Sequence, residues 1–143
     1  MMTKYWIGVA SRDHVMRGIK GGFAMLNHGK RAPLDRMNEG DYLIYYAPKE
    51  KLEDKKPLQK FVAIGKMKSG DAYQVKMSDG FEPFRKDVKF LKCEEAKIRP
   101  LIDKLDFIKD KKSWGYSLRF GHLEISSADF HLISKAMNAD IGK

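Results

Sequence analysis

The sequence predicts an α+β fold, a strongly curved and mostly antiparallel sheet flanked by helices. Three observations carry this reading. Strand-forming runs recur along the chain with short Gly-, Ser- and Asp-containing turns between the middle ones; helix signals follow the first strand and close the chain. The 43% hydrophobic and 11% aromatic content of 143 residues fits one domain, spanning 1–143, with one core. Periodicity leaves open whether the sheet closes into a barrel.

Lys4 to Ala10 (Lys-Tyr-Trp-Ile-Gly-Val-Ala) is rich in strand formers and reads as a first, mostly buried strand. Ser11 stands at an N-cap position. Asp13 in the first turn, an apolar face of Val15, Met16 and Ile19, and the stop Gly21-Gly22 make a helix of about two turns. Phe23 to Leu26 is too short to assign, His28-Gly29-Lys30 reads as a turn, and Pro33 to Met37 as one helical turn. Tyr42 to Ala47 is a second clear strand, ended by Pro48. Alternation puts Tyr42, Ile44 and Tyr46 on one face and Leu43 and Tyr45 on the other, so one tyrosine set is expected to leave the core.

Lys49 to Lys56 has one apolar residue in eight and reads as a solvated, mobile loop. Phe61 to Gly65, Tyr73 to Met77 and Asp87 to Leu91 are three further strands, joined by turns at Ser69-Gly70-Asp71 and Ser78-Asp79-Gly80, which predicts an antiparallel meander. Ile98 to Leu105 reads as helical with Pro100 in its first turn, Lys109 to Lys112 as a solvated turn, and Arg119 to Ile125 as the last strand. Ser126-Ser127 then caps a closing helix whose Phe130, Ile133 and Met137 face inward.

The net charge of +9 and pI near 9.6 favour an anionic partner, nucleic acid or anionic lipid. The excess is spread along the chain, so folding must assemble it. Cys93 is the only cysteine, which excludes an intramolecular disulfide and fits a reducing cytoplasm. The first residues form no signal-peptide pattern, and no window approaches the ~20 apolar residues of a membrane span, so a soluble cytoplasmic protein is expected. His14, His28, His122 and His131 show no metal-site spacing; neither a metal nor another cofactor is expected. Acidic Glu94 and Glu95 beside Cys93 disfavour a nucleophilic thiolate, and no phosphate loop is present. Catalysis therefore has no positive support in these residues.

Aromatic and basic side chains are instead interleaved: Trp6, Phe23, Lys30, Arg31, Tyr45, Tyr46, Phe81, Arg85, Trp114 and Arg119. Aromatic faces hold unstacked bases while Arg and Lys hold phosphates. On strands, Trp6 and Phe61 are expected in the core instead.

Tyr5-Trp-Ile-Gly-Val-Ala-Ser11, Asp13-His-Val15, Gly22-Phe23, His28-Gly-Lys30, Pro33-Leu34, Arg36-Met37, Gly40-Asp41, Tyr45-Tyr46, Ala63-Ile-Gly65, Phe84-Arg85, Trp114-Gly115 and Arg119 follow one another in an order that resembles a stand-alone EVE domain. That family belongs to the PUA-like superfamily with the YTH and ASCH domains. The resemblance covers nearly the whole chain. It implies a PUA-like pseudo-β-barrel of about five or six strands and a concave pocket for a nucleobase, modified, from DNA or RNA.

Carried over position by position, the resemblance makes Ser11 a base-edge partner, places Phe23, Asn27 and His28 at the pocket, and makes Tyr45 or Tyr46, together with Trp114, stacking walls. Lys30, Arg31, Arg85 and Arg119 become phosphate contacts. Ala10-Ser-Arg-Asp13 stands where the better-studied branch has Lys-Ser-Glu-Pro, so of that motif only Ser11 is shared. Met25 stands where this branch usually has glutamine. The leading expectation is a non-catalytic reader of modified nucleobases. The alternatives are an enzyme acting on a modified base or small amide, with Lys30 and His28 as the acid/base pair, and a small-molecule sensor.

Overall fold

The computed structural model describes residues 2–141. Its strands are β1 (Tyr5–Val9), β2 (Phe23–Ala24), β3 (Tyr42–Ala47), β4 (Lys60–Met67), β5 (Tyr73–Gln74), β6 (Phe84–Phe90), β7 (Ala96–Lys97) and β8 (His122–Ile125). Its helices are α1 (Arg12–Gly21), α2 (Ala32–Asp35) and α3 (Ser127–Ala136), with 3-10 turns at Asn27–Gly29, Arg99–Lys104 and Ser117–Phe120. The strands form one sheet in the order β2-β6-β4-β3-β1-β8, with β5 added to β6 and β7 to β4. This is the expected α+β architecture, with a mostly antiparallel sheet that does not close.

One pairing is parallel: β1 runs beside β3, Tyr5 opposite Tyr42 through Val9 opposite Tyr46. Parallel neighbours need a long crossover, and here it is residues 10–41, containing α1, β2 and α2. Asp41 fastens the end of that crossover to β1. Its buried carboxylate accepts hydrogen bonds from the Lys4 and Asn38 amides and from Trp6 Nε1, each at 3.0 Å. Three donors satisfy a charge that would otherwise be costly to bury.

Both faces of the sheet are covered, and this overturns two expectations. The apolar side chains form two clusters instead of one core. Ile7, Ile44, Tyr46 and Phe61 pack on one side with Leu101, Leu105, α3 residues Phe130 and Ile133, and Met137 just past the end of α3. Trp6, Leu43, Tyr45 and Ala63 pack on the other with Val15, Leu26, Leu34 and Met37. Neither tyrosine set therefore leaves the interior: Tyr45 and Tyr46 are 1% and 3% exposed.

Other differences have local causes. The meander is replaced by direct pairing of β4 with β6, because β5 keeps only two ladder residues, opposite Phe84 and Arg85 of β6. The segment around Pro100 is a 3-10 turn, not an α-helix; Lys111 Nζ donates to the carbonyls of Ile102, Leu105 and Ile108, satisfying acceptors there and just beyond. The last strand begins only at His122, because Ser117–Phe120 curls into a turn that ends at Gly121, φ +77°. Ser126 does cap α3, its Oγ accepting from the Asp129 amide.

Candidate functional site

The crossover, the loop after β3, the β5–β6 hairpin and the segment 114–121 together enclose a cleft of about 1220 Å³. Its wall begins where β1 ends. Ser11 has the extended backbone of an N-cap, yet its hydroxyl makes no cap; Oγ donates to Asp13 Oδ1 at 2.6 Å. The first amides of α1 are satisfied elsewhere, Arg12 N by the Lys49 carbonyl and Asp13 N by that of Glu50. Ser11 is thus buried at the cleft with its oxygen lone pairs not committed to the helix. The Ser11 hydroxyl, chiefly, together with the His14 amide, holds the Asp13 carboxyl below its ordinary range.

A second wall comes from the segment after β2. Asn27, His28 and Gly29 all have positive φ, at +47°, +60° and +88°. Gly29 is obligatory there, because a Cβ would lie 2.2 Å from the Pro83 side chain and 2.7 Å from Pro83 Cα. This left-handed turn presents Asn27, His28 and Lys30 to the cleft. Beneath it the Met25 backbone is pinned from two sides. Its carbonyl accepts from Tyr45 Oη at 3.2 Å and from His14 Nε2 at 3.3 Å. Burial pushes the Tyr45 phenol up and the His14 imidazole down.

Of the residues expected at the site, Ser11, Phe23, Asn27, His28, Lys30, Tyr46, Arg85, Trp114 and Arg119 line this one cleft. Tyr45 and Arg31 do not. Tyr45 supports the wall from beneath, and Arg31 pairs with Asp35 at 3.1 Å and lies over the Phe84 ring. Tyr46 is held as a neutral phenol, pushed up to about 12 by burial against the opposing charge of Arg99. Arg85 lies 3.8 Å over the Phe23 ring centroid, and its Nε is buried without a hydrogen-bond partner among the described residues. Arg99 covers the Trp114 ring at 5.5 Å.

Sequence reasoning missed Leu52, Gln59, Met77 and the wall role of Met25, all at the cleft. Leu52 was the single apolar residue in a charged loop, which was the available signal. Among the described residues no group of three His, Cys, Asp or Glu side chains is arranged to hold a metal ion. Cys93 is half-buried, and its thiol is pushed up mainly by that burial, with Glu95 adding to it.

A family model described as the EVE domain matches residues 4–136. A UPF0310 protein of Bacillus licheniformis encoded in the gntR 5′ region is 55% identical over 127 residues, covering 89% of this chain and 86% of that protein. UPF0310 protein YdcG of Bacillus subtilis is 47% identical over 141 residues, covering 99% and 97%. Among solved structures, the YTH domain of Zygosaccharomyces rouxii MRB1, in complex with N6-methyladenosine RNA, aligns with a TM-score of 0.61 at 14% identity, over 93% of this chain and 85% of that one. A YTH domain of MmI1 aligns at 0.56, with 13% identity over 95% and 96%. These structural likenesses establish the fold.

Proposed function

The chain belongs to the EVE domain family, and on that premise we propose that the cleft binds a nucleobase, a modified one by preference, within a nucleic acid, without catalysis. One observation carries the reading: the same cleft holds a buried hydroxyl, aromatic rings and cations that no ion pair engages. Ser11 supplies an acceptor for a base edge, and Phe23, Tyr46 and Trp114 supply apolar and aromatic wall. Among the described residues, the Lys30 and Arg119 side chains make no ion pair or hydrogen bond, which leaves them for phosphates. A YTH domain of the same fold binds N6-methyladenosine RNA, which supports a base, and a methylated one, as the occupant. Taking a base out of its stack costs a few kcal/mol, which wall contacts and phosphate contacts together can offset.

The test is equilibrium binding of short oligonucleotides whose central base is unmodified, N6-methyladenine or 5-methylcytosine, or is absent. One modified base should bind best and the abasic strand worst. Ser11→Ala should weaken the best ligand about fivefold, the value of one hydrogen bond, and narrow the preference. Its hydroxyl does not cap α1 but does hold Asp13, so the variant should lose about 1 kcal/mol of stability and still be folded where binding is measured. Equal affinity for every strand, the abasic one included, would leave only electrostatics and end the proposal.

A further inference from the structure

The cleft is larger than one base needs, and its mouth has an unusual composition. Among the described residues the exposed large apolar side chains are Met2, Leu52, Tyr73, Met77, Phe81, Tyr116 and Phe120. Leu52, Met77, Phe81 and Phe120 line this cleft, and Tyr116 stands edge-on to Phe120 at 5.7 Å and 86°. Three separate segments, the loop after β3, the hairpin between β5 and β6 and the turn 116–120, thus bring solvent-exposed apolar surface to one opening. A monomer ordinarily scatters such residues singly; a cluster marks a surface that something covers.

Resting on the proposed base-binding role, we infer that Phe81 and Phe120, the latter braced by Tyr116, are stacking platforms for the nucleotides on either side of the bound base, so that the ligand is a single strand of at least three nucleotides. Bases inside a duplex have both faces covered by their neighbours, and an exposed ring at the cleft mouth would find nothing to stack on. Splayed bases of a single strand offer open faces. Charge supports the same occupant. Arg119 sits between Tyr116 and Phe120 in the chain, Lys30 lines the same cleft from the turn after β2, and among the described residues neither side chain makes an ion pair or hydrogen bond. An anionic strand fits cations set among aromatic rings, whereas a purely apolar partner would leave both charges to be desolvated.

The test compares seven-nucleotide strands carrying the preferred central base, with both flanking bases present, with both flanks abasic, and annealed into a duplex. Wild type should bind the intact single strand at least about fivefold more tightly than the abasic-flanked strand and than the duplex. Phe81→Ala/Phe120→Ala should bind the intact strand as weakly as wild type binds the abasic-flanked one, and the abasic flanks should cost it nothing further. Phe120→Trp should keep wild-type affinity. Both residues are solvent-exposed, so unchanged thermal melting should accompany these results. Wild-type affinity indifferent to abasic flanks, or higher for the duplex, overturns the platform while leaving the central-base reading intact. Indifference to removal of the central base overturns that reading. A change from dimer to monomer in the double variant, seen by sedimentation, assigns the apolar lip to self-association and also overturns the platform.

Discussion

His122 shows how burial fixes the proton affinity of a single side chain. Its ring lies nearly parallel to Trp6, 4.7 Å between centroids and 11° between planes, and neither ring nitrogen has a hydrogen-bond partner among the described residues. Burial, with the charge of Arg36 adding to it, lowers the imidazole from 6.5 to about 4. In the unfolded chain the same ring titrates near its ordinary value. Between these two values the unfolded state therefore holds more protons than the native one, and stability rises with pH across that window. Lowering the pH from 7.5 to 4.5 should remove up to about 3 kcal/mol through this residue. Denaturant unfolding at the two pH values measures it, and His122→Phe, which keeps the stack on Trp6, should flatten the difference. The remainder should include His14, whose half-buried ring is also shifted down. A variant with the full wild-type difference would place the sensitive group elsewhere.

Elements held by their own sequence were legible, and those held by distant partners were not. β1, β3 and α3 follow from strand-forming runs and a serine cap, signals within a few residues of where they act. The parallel pairing of β1 with β3, the two-residue β2 and the burial of both tyrosine faces depend on what packs across long separations, and no local pattern records that. At the cleft, Ser11 and the Asn27–Lys30 turn could be placed by the family resemblance, whereas Met77 and Leu52 reach it only through loop geometry. The left-handed turn also makes a prediction. Gly29→Ala adds a Cβ against Pro83 at a positive φ, while Gly40→Ala adds one at nearly the same φ, +89°, with open space around it. Gly40→Ala should cost about 1 kcal/mol of backbone strain. Gly29→Ala should cost about 2 kcal/mol more, because Pro83 is buried immediately before β6 and must move. It should also weaken oligonucleotide binding, since the turn carries Asn27, His28 and Lys30. Equal unfolding free energies for the two variants would show that the contact with Pro83 is readily relieved.

For the molecule as a whole, the excess of positive charge is divided between cations engaged within the protein and cations left unengaged, and the second group is the freer to meet a ligand. Buried Lys86 donates to the carbonyls of Leu34 and Met37, Lys111 holds three carbonyls of its neighbouring turn, and Arg12, Arg17 and Arg31 are engaged by carboxylates. Lys30 and Arg119 stand at the cleft without such partners among the described residues. Net charge alone would make any two of these cations equivalent, because a diffuse field depends little on which of them is removed. Local phosphate contact makes them different. Lys30→Ala/Arg119→Ala should reduce the slope of log K against log salt for a single-stranded oligonucleotide by about 1.4, about 0.7 for each phosphate no longer neutralised. Arg31→Ala/Lys111→Met removes the same net charge and should leave that slope nearly unchanged while lowering the melting temperature, since Lys111 satisfies three backbone acceptors. The two slopes, measured by anisotropy titrations at several salt concentrations, separate a phosphate-contacting cleft from a generally basic protein. Equal slopes would mean that attraction comes from the whole surface and that Lys30 and Arg119 hold no particular phosphate.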